Sequence, residues 1–352
     1  MQPFVYDQPA SRVIFAPGAI ARLADEVTRL GARRALVIST PRESRFADAA
    51  AGRLGELCAG IFSEVAVQHV PVELLEVARH RERELGVDCY VAIGGGSTIG
   101  VAKALALETS LPIVAIPTTY AGSEMTPIYG ITERGVKKTG RDRKVLPRTV
   151  IYDVNLTLSL PPGISGPSGM NAMAHCVEAL YAEDANPIVS LLAEEGIRAL
   201  ARSLPVVVRE PENVAARSGA QYGAWLAGTA LGAVGMSIHH KLCHTLGGSF
   251  NLPHAETHTV MLPHSTAYNR DAAPDAMRRI AAALGTSDAA SGIFDLIEKI
   301  GGPRRLKDIG MPEDGLDRAA ELATKNPYYN PRPIERDAIR QLLDNAYQGK
   351  RP

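Results

Sequence analysis

The first 158 residues alternate between two kinds of pattern. Short apolar runs rich in valine and isoleucine are separated by longer segments with the apolar spacing of helices. Continuous apolar runs joined by helices are typical of a parallel β-sheet that helices cover on both faces. The runs that predict strands are RALVIST (34–40), CYVAIG (89–94), PIVAIP (112–117) and RTVIYD (148–153). This half of the chain is therefore predicted to be an α/β domain, and such domains bind ligands beyond the carboxyl ends of their strands.

The second half has a different pattern. The segment SLPPGISGPSG (159–169) is dense in proline and glycine, which break regular structure, and we predict the domain boundary there. Beyond it the patterns are helical almost throughout. We therefore predict an α/β dinucleotide-binding domain over residues 1–158 and an all-helical substrate domain over residues 163–352. The cleft between two such domains is the expected site.

Charge and cysteine content limit the partners of this protein. Lysine plus arginine equals aspartate plus glutamate, at 38 each among 352 residues, so no overall field attracts nucleic acid or a membrane. The basic cluster KKTGRDRK (137–144) lacks interleaved aromatic residues and is expected to be a solvated hairpin or loop. Four cysteines without a CxxC motif predict free thiols in a reducing environment. No secretory signal pattern is present, so we expect a cytoplasmic protein with no nucleic-acid or membrane partner.

A glycine-rich turn follows the predicted strand at 89–94. Its three glycines are Gly94, Gly95 and Gly96, and Ser97 is the predicted N-cap of the next helix. Glycines let the backbone approach an anion closely, and a helix start attracts negative charge. The spacing is not G-x-G-x-x-G, because the sixth position is Ile99. A phosphate-binding turn is favoured, and the alternative is simply a tight connection between strand and helix.

Two further strand ends support a nucleotide site. The segment PIVAIPTTYAGSEMT delivers Thr118, Thr119 and Ser123 to the same edge, where hydroxyl groups bind ribose or phosphate oxygens. After the strand at 34–40, a dedicated NAD site often carries an acid for the ribose 2′-hydroxyl. Thr40 stands there instead, so a 2′-phosphate would meet no repulsion. We expect the cofactor to be NADH or NADPH.

Histidines are concentrated in the second half of the chain. Ser237 is the predicted cap of a helix that carries His240 and His244 one turn apart on one face. The segment SGMNAMAHCVEAL (168–180) is a predicted helix that places Asn171, His175 and Glu178 on one face. Imidazole binds zinc or iron and also transfers protons near neutral pH, so both roles stay open at this point. The histidines concerned are His175, His239, His240, His244, His254, His258 and His264.

Taken together, these motifs resemble those of the iron-containing (group III) alcohol dehydrogenase family, along essentially the whole chain. The markers are GGGS (94–97), PTTYAGSE (117–124), GMNAMAHCVEA (169–179) and HHKLCHTLGGSFNLPHAETH (239–258). The resemblance implies a dehydroquinate synthase-like fold, in which an α/β dinucleotide-binding domain precedes an all-α domain. It also implies a homodimer.

The same resemblance implies site residues. Metal-dependent members bind iron or zinc through an aspartate and three histidines, at positions that match Asn171, His175, His240 and His254 here, while His244 matches a pocket histidine that is not a ligand. Asn171 departs from that pattern, because an amide oxygen is neutral and a weaker donor. With asparagine at this position, and with NPYYNPRPI (326–334), the chain is similar to the branch of the family that reduces maleylacetate without a metal.

This branch implies a specific chemistry. A hydride adds to the carbon β to the ketone of maleylacetate, an enolate forms, and protonation gives 3-oxoadipate in the degradation of aromatic compounds. Such an enolate needs hydrogen-bond donors in a dry site and does not necessarily need a metal. His244 is the leading candidate for proton donor, with His175, His240 and His254 sharing that work or holding a carboxylate of the dicarboxylate substrate, and with Asn171 positioning it. The further expected contacts are Lys241, Arg332 and Tyr120 to the substrate, and Lys138 to the cofactor.

Two alternative functions remain open from the sequence. One is a metal-dependent alcohol or hydroxyacid dehydrogenase of the same family that tolerates asparagine as a ligand. The other is a paralogue that binds NADH and catalyses nothing. Retention of the full histidine cluster favours an enzyme, since an inactive paralogue has no chemical need for those side chains.

Overall fold

The computed structural model of this protein describes residues 4, 6, 11–64, 72–133, 136–326 and 328–352. The chain forms two compact units. One is Gln8–Leu160, and the other is Pro161–Pro352, to which the described residues Phe4 and Tyr6 also belong.

The first unit contains a parallel sheet, and its strand order in the described part of the chain is β1-β8-β5-β4-β2-β3. An antiparallel hairpin, β6–β7, includes part of the basic cluster that was expected to be a hairpin or loop. The strands are β1 (Arg12–Phe15), β2 (Ala35–Ile38), β3 (Cys58–Phe62), β4 (Cys89–Gly94), β5 (Ile113–Pro117), β6 (Ile128–Glu133), β7 (Val136–Arg141) and β8 (Thr149–Tyr152). The helices are α1 (Leu23–Arg29), α2 (Ser44–Leu54), α3 (Val72–Leu85) and α4 (Gly96–Thr109).

Alternate residues of each strand enter two separate cores. Val37 and Val91 pack on one face of the sheet with α1 and α2. Leu36 and Tyr90 pack on the other face with α3 and α4. A sheet covered on both faces explains why its central strands are continuously apolar. The fold class and the four predicted strands are confirmed, whereas β1 and β3, short strands at the two edges of the sheet, were not predicted.

The second unit is helical in its described residues. Its helices are α5 (Pro162–Ala179), α6 (Pro187–Arg209), α7 (Val214–Ala233), α8 (Ile238–Phe250), α9 (His254–Tyr268), α10 (Pro274–Leu284), α11 (Ala289–Lys299), α12 (Leu316–Thr324) and α13 (Arg336–Gln348). The all-α expectation for this half is therefore confirmed.

One local expectation was wrong. The segment 159–169 was expected to break regular structure, but α5 begins at Pro162 and runs through Pro167 and Gly169 without a break. Pro162 occupies the first turn, where proline is well tolerated, whereas Pro167 lies inside the helix. Gly169 lies against Leu204 of α6 so closely that a β-carbon would overlap the leucine side chain. Close packing between α5 and α6 therefore outweighs the low helix propensity of this segment.

The segment Pro274–Lys299 is long and apolar enough to cross a membrane by length and composition alone. It contains two helices, α10 and α11, and α10 ends at Leu284, before Gly285, whose φ is +72°. Over half of its most apolar window is buried inside the protein. These helices are accordingly core elements, since a left-handed glycine between them interrupts any continuous spanning helix.

Candidate active site

The glycine turn at the end of β4 has the shape expected of a phosphate-binding turn. Gly94 has φ +154°, in a region that residues with a side chain rarely adopt. Gly95, in extended conformation, is the N-cap of α4, so Ser97 lies inside the helix and the expectation that it caps the helix was wrong. The N-terminus of α4 therefore follows the glycine turn directly and presents its positive dipole end.

Three of the predicted threonines lie beside this turn, around an acid that the sequence analysis missed. The hydroxyl of Thr118 donates to Oε1 of Glu43 at 2.5 Å, and that of Thr40 donates to Oε2 at 2.9 Å. Thr119 lies against Gly95, with its Oγ1 3.3 Å from where a β-carbon would stand. Thr40 and Glu43 have the T-x-x-E spacing of a capping box, a signal that was available in the sequence.

A buried lysine supports the loop that carries Ser123. Nζ of Lys103, on α4, donates to the carbonyl oxygens of Ser123, Thr126 and Ile128 at 2.6–2.8 Å. Burial lowers the pKa of Lys103 to about 7, and the neighbouring carboxylate of Glu124 opposes that shift. Sequence alone did not single out Lys103, because it lies within an otherwise apolar helix. The predicted cofactor contact from Lys138 lies outside the described side chains, which exclude those of residues 132–138.

In the helical unit, α5 presents Asn171, His175 and Glu178 on one face, as predicted. All three side chains are buried. Oδ1 of Asn171 and Nδ1 of His175 have no hydrogen-bond partner among the described residues. Buried polar atoms without partners carry a desolvation cost, and at a candidate site they indicate a place for a ligand.

Glu178 organises the start of α8. Its carboxylate accepts the backbone N–H groups of Ser237 at 3.0 Å and His239 at 2.7 Å, and it accepts Nδ1 of His240 at 2.6 Å. Ser237 is the N-cap residue, as predicted, but its hydroxyl makes no cap bond. A carboxylate from another helix replaces it, because a full negative charge binds the positive end of α8 more strongly than a hydroxyl does.

Six histidine rings form a contiguous cluster: His175, His239, His240, His244, His254 and His258. The ring of His240 lies 5.1 Å from that of His175, 5.0 Å from that of His258 and 6.1 Å from that of His244, measured between centroids. His254 lies 4.4 Å from His258. His244 and His254 are exposed. The predicted histidines His175, His240, His244 and His254 are thus brought together.

The cluster includes a chain of hydrogen bonds from Ser265 through His239 to His258. The Ser265 hydroxyl is 3.0 Å from the carbonyl oxygens of Met261 and Leu262, to which it donates its single hydrogen. It therefore accepts Nδ1–H of His239 at 3.0 Å. Nε2 of His239 in turn accepts Nδ1–H of His258 at 2.8 Å.

This chain fixes a tautomer. Burial, together with neighbouring imidazoles, lowers the pKa values of His239 and His258 well below their usual range, so both rings are neutral at neutral pH. Nε2 of His258 then carries a lone pair, is buried, and has no partner among the described residues. The sequence analysis placed His239 and His258 in the cluster but gave neither a role, since such a chain depends on ring positions that spacing does not reveal.

Burial has the same effect on His175. Desolvation, with the charges of the neighbouring imidazoles, lowers the pKa of His175 well below its usual range. A neutral His175 offers one N–H as a hydrogen bond and does not act as an imidazolium acid. The exposed His244 is better suited to exchange a proton with solvent.

The predicted substrate contacts differ in their surroundings. Nζ of Lys241 lies 5.5 Å from the ring centre of Tyr328, and no carboxylate among the described residues pairs with it. The guanidinium of Arg332 lies 4.2 Å above the ring of Tyr268 and donates to its carbonyl oxygen at 3.4 Å, contacts that favour a packing role. Tyr120 belongs to the α/β unit and is fully buried, which also favours packing.

The family resemblance implies a metal, and the donor set fits a divalent cation poorly. Among the described side chains of the cluster, Glu178 is the acid, and its oxygens are already bound to α8 and His240. Asn171 contributes a neutral oxygen. A dication here would lack the negative charge that normally compensates it.

A second group of possible ligands is His239, Cys243 and His258, whose ligand atoms lie within 4.8 Å of one another. The two histidine nitrogens already hydrogen-bond to each other. Burial, with the charge of Glu178, raises the pKa of the Cys243 thiol well above its usual range, so the thiol stays protonated. A protonated thiol is a poor metal ligand. All four cysteines are free, as expected.

Sequence comparison identifies the family of this chain. Residues 10–154 match the family described as iron-containing alcohol dehydrogenase, and residues 166–347 match the Fe-containing alcohol dehydrogenase family, C-terminal. The chain belongs to the iron-containing alcohol dehydrogenase family. Within it, the chain is 57% identical to a maleylacetate reductase of Burkholderia cepacia, over the full length of both proteins.

Solved structures of the family give the same result. The maleylacetate reductases from Agrobacterium tumefaciens and from Rhizobium sp. strain MTP-10005 are 56% and 55% identical to this chain, each with a TM-score of 0.97 and full coverage of both chains. This family member is an NAD(P)H-dependent oxidoreductase.

Proposed function

We propose that this family member reduces the carbon–carbon double bond of maleylacetate to 3-oxoadipate without a metal, in the degradation of aromatic compounds. The observation that carries the proposal is Asn171, buried on the face of α5 that also carries His175. Replacing a carboxylate by an amide exchanges an anionic ligand for a group that can donate hydrogen bonds. The relatives that carry the name maleylacetate reductase support the substrate.

The reaction balances with one hydride and one proton. The reduced nicotinamide supplies the hydride, which adds to the carbon β to the ketone. The π electrons of the double bond then move toward the ketone oxygen, which becomes an enolate. A proton adds to the adjacent carbon, the ketone re-forms, and the product is 3-oxoadipate.

The chain's own residues stabilise that enolate. Asn171 and the neutral His175 each offer an N–H donor from a buried position, where one such bond is typically worth about 3 kcal/mol to a developing oxyanion. His244, exposed and 6.1 Å from the ring of His240, supplies the proton. His240 is held by Glu178 and, with His254, orients the substrate.

Lys241 is the first candidate to bind a carboxylate of the substrate. It is the neighbour of His240 in sequence and has no acidic partner among the described residues. Arg332 and Tyr120 remain weaker candidates because both are engaged in packing. The residues proposed to bind the cofactor are Gly94–Ser97, Thr40, Thr118, Thr119, Ser123 and Lys138. The enzyme is further proposed to be a cytoplasmic homodimer built from an α/β domain over 1–158 and a helical domain over 163–352.

The test is NADH oxidation with maleylacetate, comparing enzyme as purified with enzyme treated exhaustively with a chelator. We expect turnover of the two samples to agree within a factor of two, with 3-oxoadipate identified by mass spectrometry. Activity that disappears on chelation and returns with iron or zinc would instead support a metal-dependent dehydrogenase. Binding of NADH without turnover of any substrate would support the inactive paralogue.

The role of His244 has its own test. His244→Ala should lower kcat by about 100-fold, because positioned proton transfer typically contributes 10²–10⁴-fold. His80→Ala, at an exposed position on α3, is the matched control. Near wild-type turnover in His244→Ala would move the proton-donor role to another histidine.

A further inference from the structure

We propose that Glu43 makes this enzyme selective for NADH by accepting ribose hydroxyl groups and repelling the 2′-phosphate of NADPH. The inference rests on the proposed cofactor site. It reverses the expectation from the sequence that a 2′-phosphate would meet no repulsion at this strand end.

The carboxylate of Glu43 lies across the ends of three neighbouring strands. Its oxygens accept Thr40 after β2 and Thr118 after β5, and β4 lies between these strands in the sheet. At the end of β4, a β-carbon on Gly94 would stand 2.7 Å from Oε2 of Glu43. Glu43 thus lies next to the glycine turn although it follows β2 by five residues.

Thr40 and Thr118 leave only acceptor positions around Glu43 itself. Each hydroxyl has a single hydrogen, and both hydrogens are donated to Glu43. What these three side chains offer a ligand is the lone pairs of two hydroxyl oxygens and of a carboxylate, whereas the Thr98 hydroxyl beside Gly94 still has its hydrogen free to donate. A ribose diol, which can donate two hydrogen bonds, is complementary to this set, and a phosphate, which accepts only, is not.

The charge of Glu43 is also not paired with a cationic side chain among the described residues. No lysine or arginine among the described residues lies within 4.0 Å of its carboxylate, and the guanidinium of nearby Arg45 stacks on Phe46 instead. A site for the 2′-phosphate needs a cation at this place. A favourable position for the phosphate groups of the cofactor lies instead at the start of α4, where the helix dipole supplies positive potential.

The test measures dissociation constants for NADH and NADPH without substrate, by fluorescence titration of the full-length enzyme. In the wild type we expect NADPH to bind at least tenfold more weakly, with the difference shrinking as salt is raised from 20 to 500 mM. Equal affinities in the wild type would overturn the proposal without any variant. Because no substrate is present, this result is independent of whether maleylacetate is reduced.

Glu43→Gln removes the charge and keeps the shape. We expect it to reduce the preference for NADH about tenfold, mainly by tightening NADPH. Glu56→Gln, at an exposed position in the same unit, should leave both constants unchanged. If Glu43 only braced the two threonines, Glu43→Gln would weaken both cofactors equally and lower the melting temperature, and the selectivity role would be wrong.

Discussion

The two candidate binding regions satisfy their polar groups in opposite ways. At the strand edge of the α/β unit, the side chains of Thr40, Glu43 and Thr118 hydrogen-bond to one another. In the helical unit, polar atoms of Asn171 and His175 are buried without partners among the described residues. The edge can bind a cofactor through backbone and a preformed acceptor set. The histidine cluster holds buried side-chain atoms that no described residue of the protein satisfies.

Each region is held by supporting residues behind it, and the groups that these residues hold in place differ between the two regions. The strand edge depends on Lys103, which fixes a loop through carbonyl oxygens. The histidine cluster depends on Glu178 and on the chain from Ser265 to His258, which fix imidazole orientation. Orienting partners of this type usually matter nearly as much as the groups that touch the ligand.

The largest effect is expected from Glu178→Gln. This change removes the charge that holds both the start of α8 and Nδ1 of His240. A glutamine has one acceptor oxygen, and its amide group would face an N–H donor. We expect the free energy of unfolding to fall by about 3 kcal/mol and kcat/KM to fall about 10- to 100-fold.

Glu183→Gln serves as its control, because Glu183 follows the same helix and is exposed. Urea denaturation and steady-state kinetics measure the two effects. Wild-type stability in Glu178→Gln would mean that the bonds to α8 do not hold the cluster, and the contrast between the two regions would be lost.

Asn171→Asp should sharpen the contrast between the two regions, because it adds an anionic metal ligand to the histidine cluster. Loaded with zinc and desalted, the variant should retain about one metal per chain, whereas the wild type retains little. Without metal, this variant should have a kcat/KM lower by about tenfold or more. Its carboxylate cannot donate hydrogen bonds, and it lies next to a dianionic substrate.

Asn155→Asp, exposed in the other unit, controls for the added charge. Elemental analysis by mass spectrometry gives the metal content. If wild type and Asn171→Asp hold zinc equally well, the asparagine is a competent ligand and metal independence has to be abandoned.

The sequence predicted which strands and helices form the two regions better than it predicted the contacts within them. Val- and Ile-rich runs revealed the central strands because a doubly covered sheet leaves no polar face, and the spacing of Asn171, His175 and Glu178 revealed one helix face. The partner of Glu178 was not predictable, since capping of α8 by a residue 59 positions earlier in the chain is a tertiary contact. The helix that runs through Pro167 was not predicted for a similar reason, because the packing that stabilises it against α6 is also a tertiary contact.

The two regions should also differ in their response to acid. His264, buried on α9, has its pKa lowered to about 4 by burial. Between pH 6.5 and 4 the unfolded chain therefore binds a proton that the folded chain does not, so stability falls as the pH drops through this window. His264→Gln should reduce the loss of unfolding free energy between pH 7.5 and 5 by about 2 kcal/mol.

Denaturation curves at the two pH values measure this difference. His80→Gln, at an exposed position in the α/β unit, should leave the pH dependence unchanged. An unchanged pH dependence in His264→Gln would mean that acid acts through other groups, such as the buried rings of the cluster itself.

A last set of effects concerns the glycines that make room in each region. A β-carbon at Gly94 would meet polar atoms, Oγ1 of Thr98 and Oε2 of Glu43, in a backbone conformation that disfavours side chains. At Gly169 it would meet the apolar side chain of Leu204. Gly94→Ala should therefore weaken NADH binding more than stability, whereas Gly169→Ala should lower the free energy of unfolding by about 1–3 kcal/mol and leave NADH binding unchanged.

Gly163→Ala separates crowding from helix propensity. Gly163 lies in the first turn of the same helix as Gly169, and no atom would contact its β-carbon within 4 Å. Alanine there should raise the free energy of unfolding by up to about 1 kcal/mol, because it restricts the unfolded chain. Should Gly163→Ala and Gly169→Ala shift stability in the same direction, packing against Leu204 would not be the reason that this proline- and glycine-rich segment forms a helix. Opposite shifts would show that the helix carrying Asn171 is held by tertiary contact, as the strand edge is held by its own hydrogen bonds.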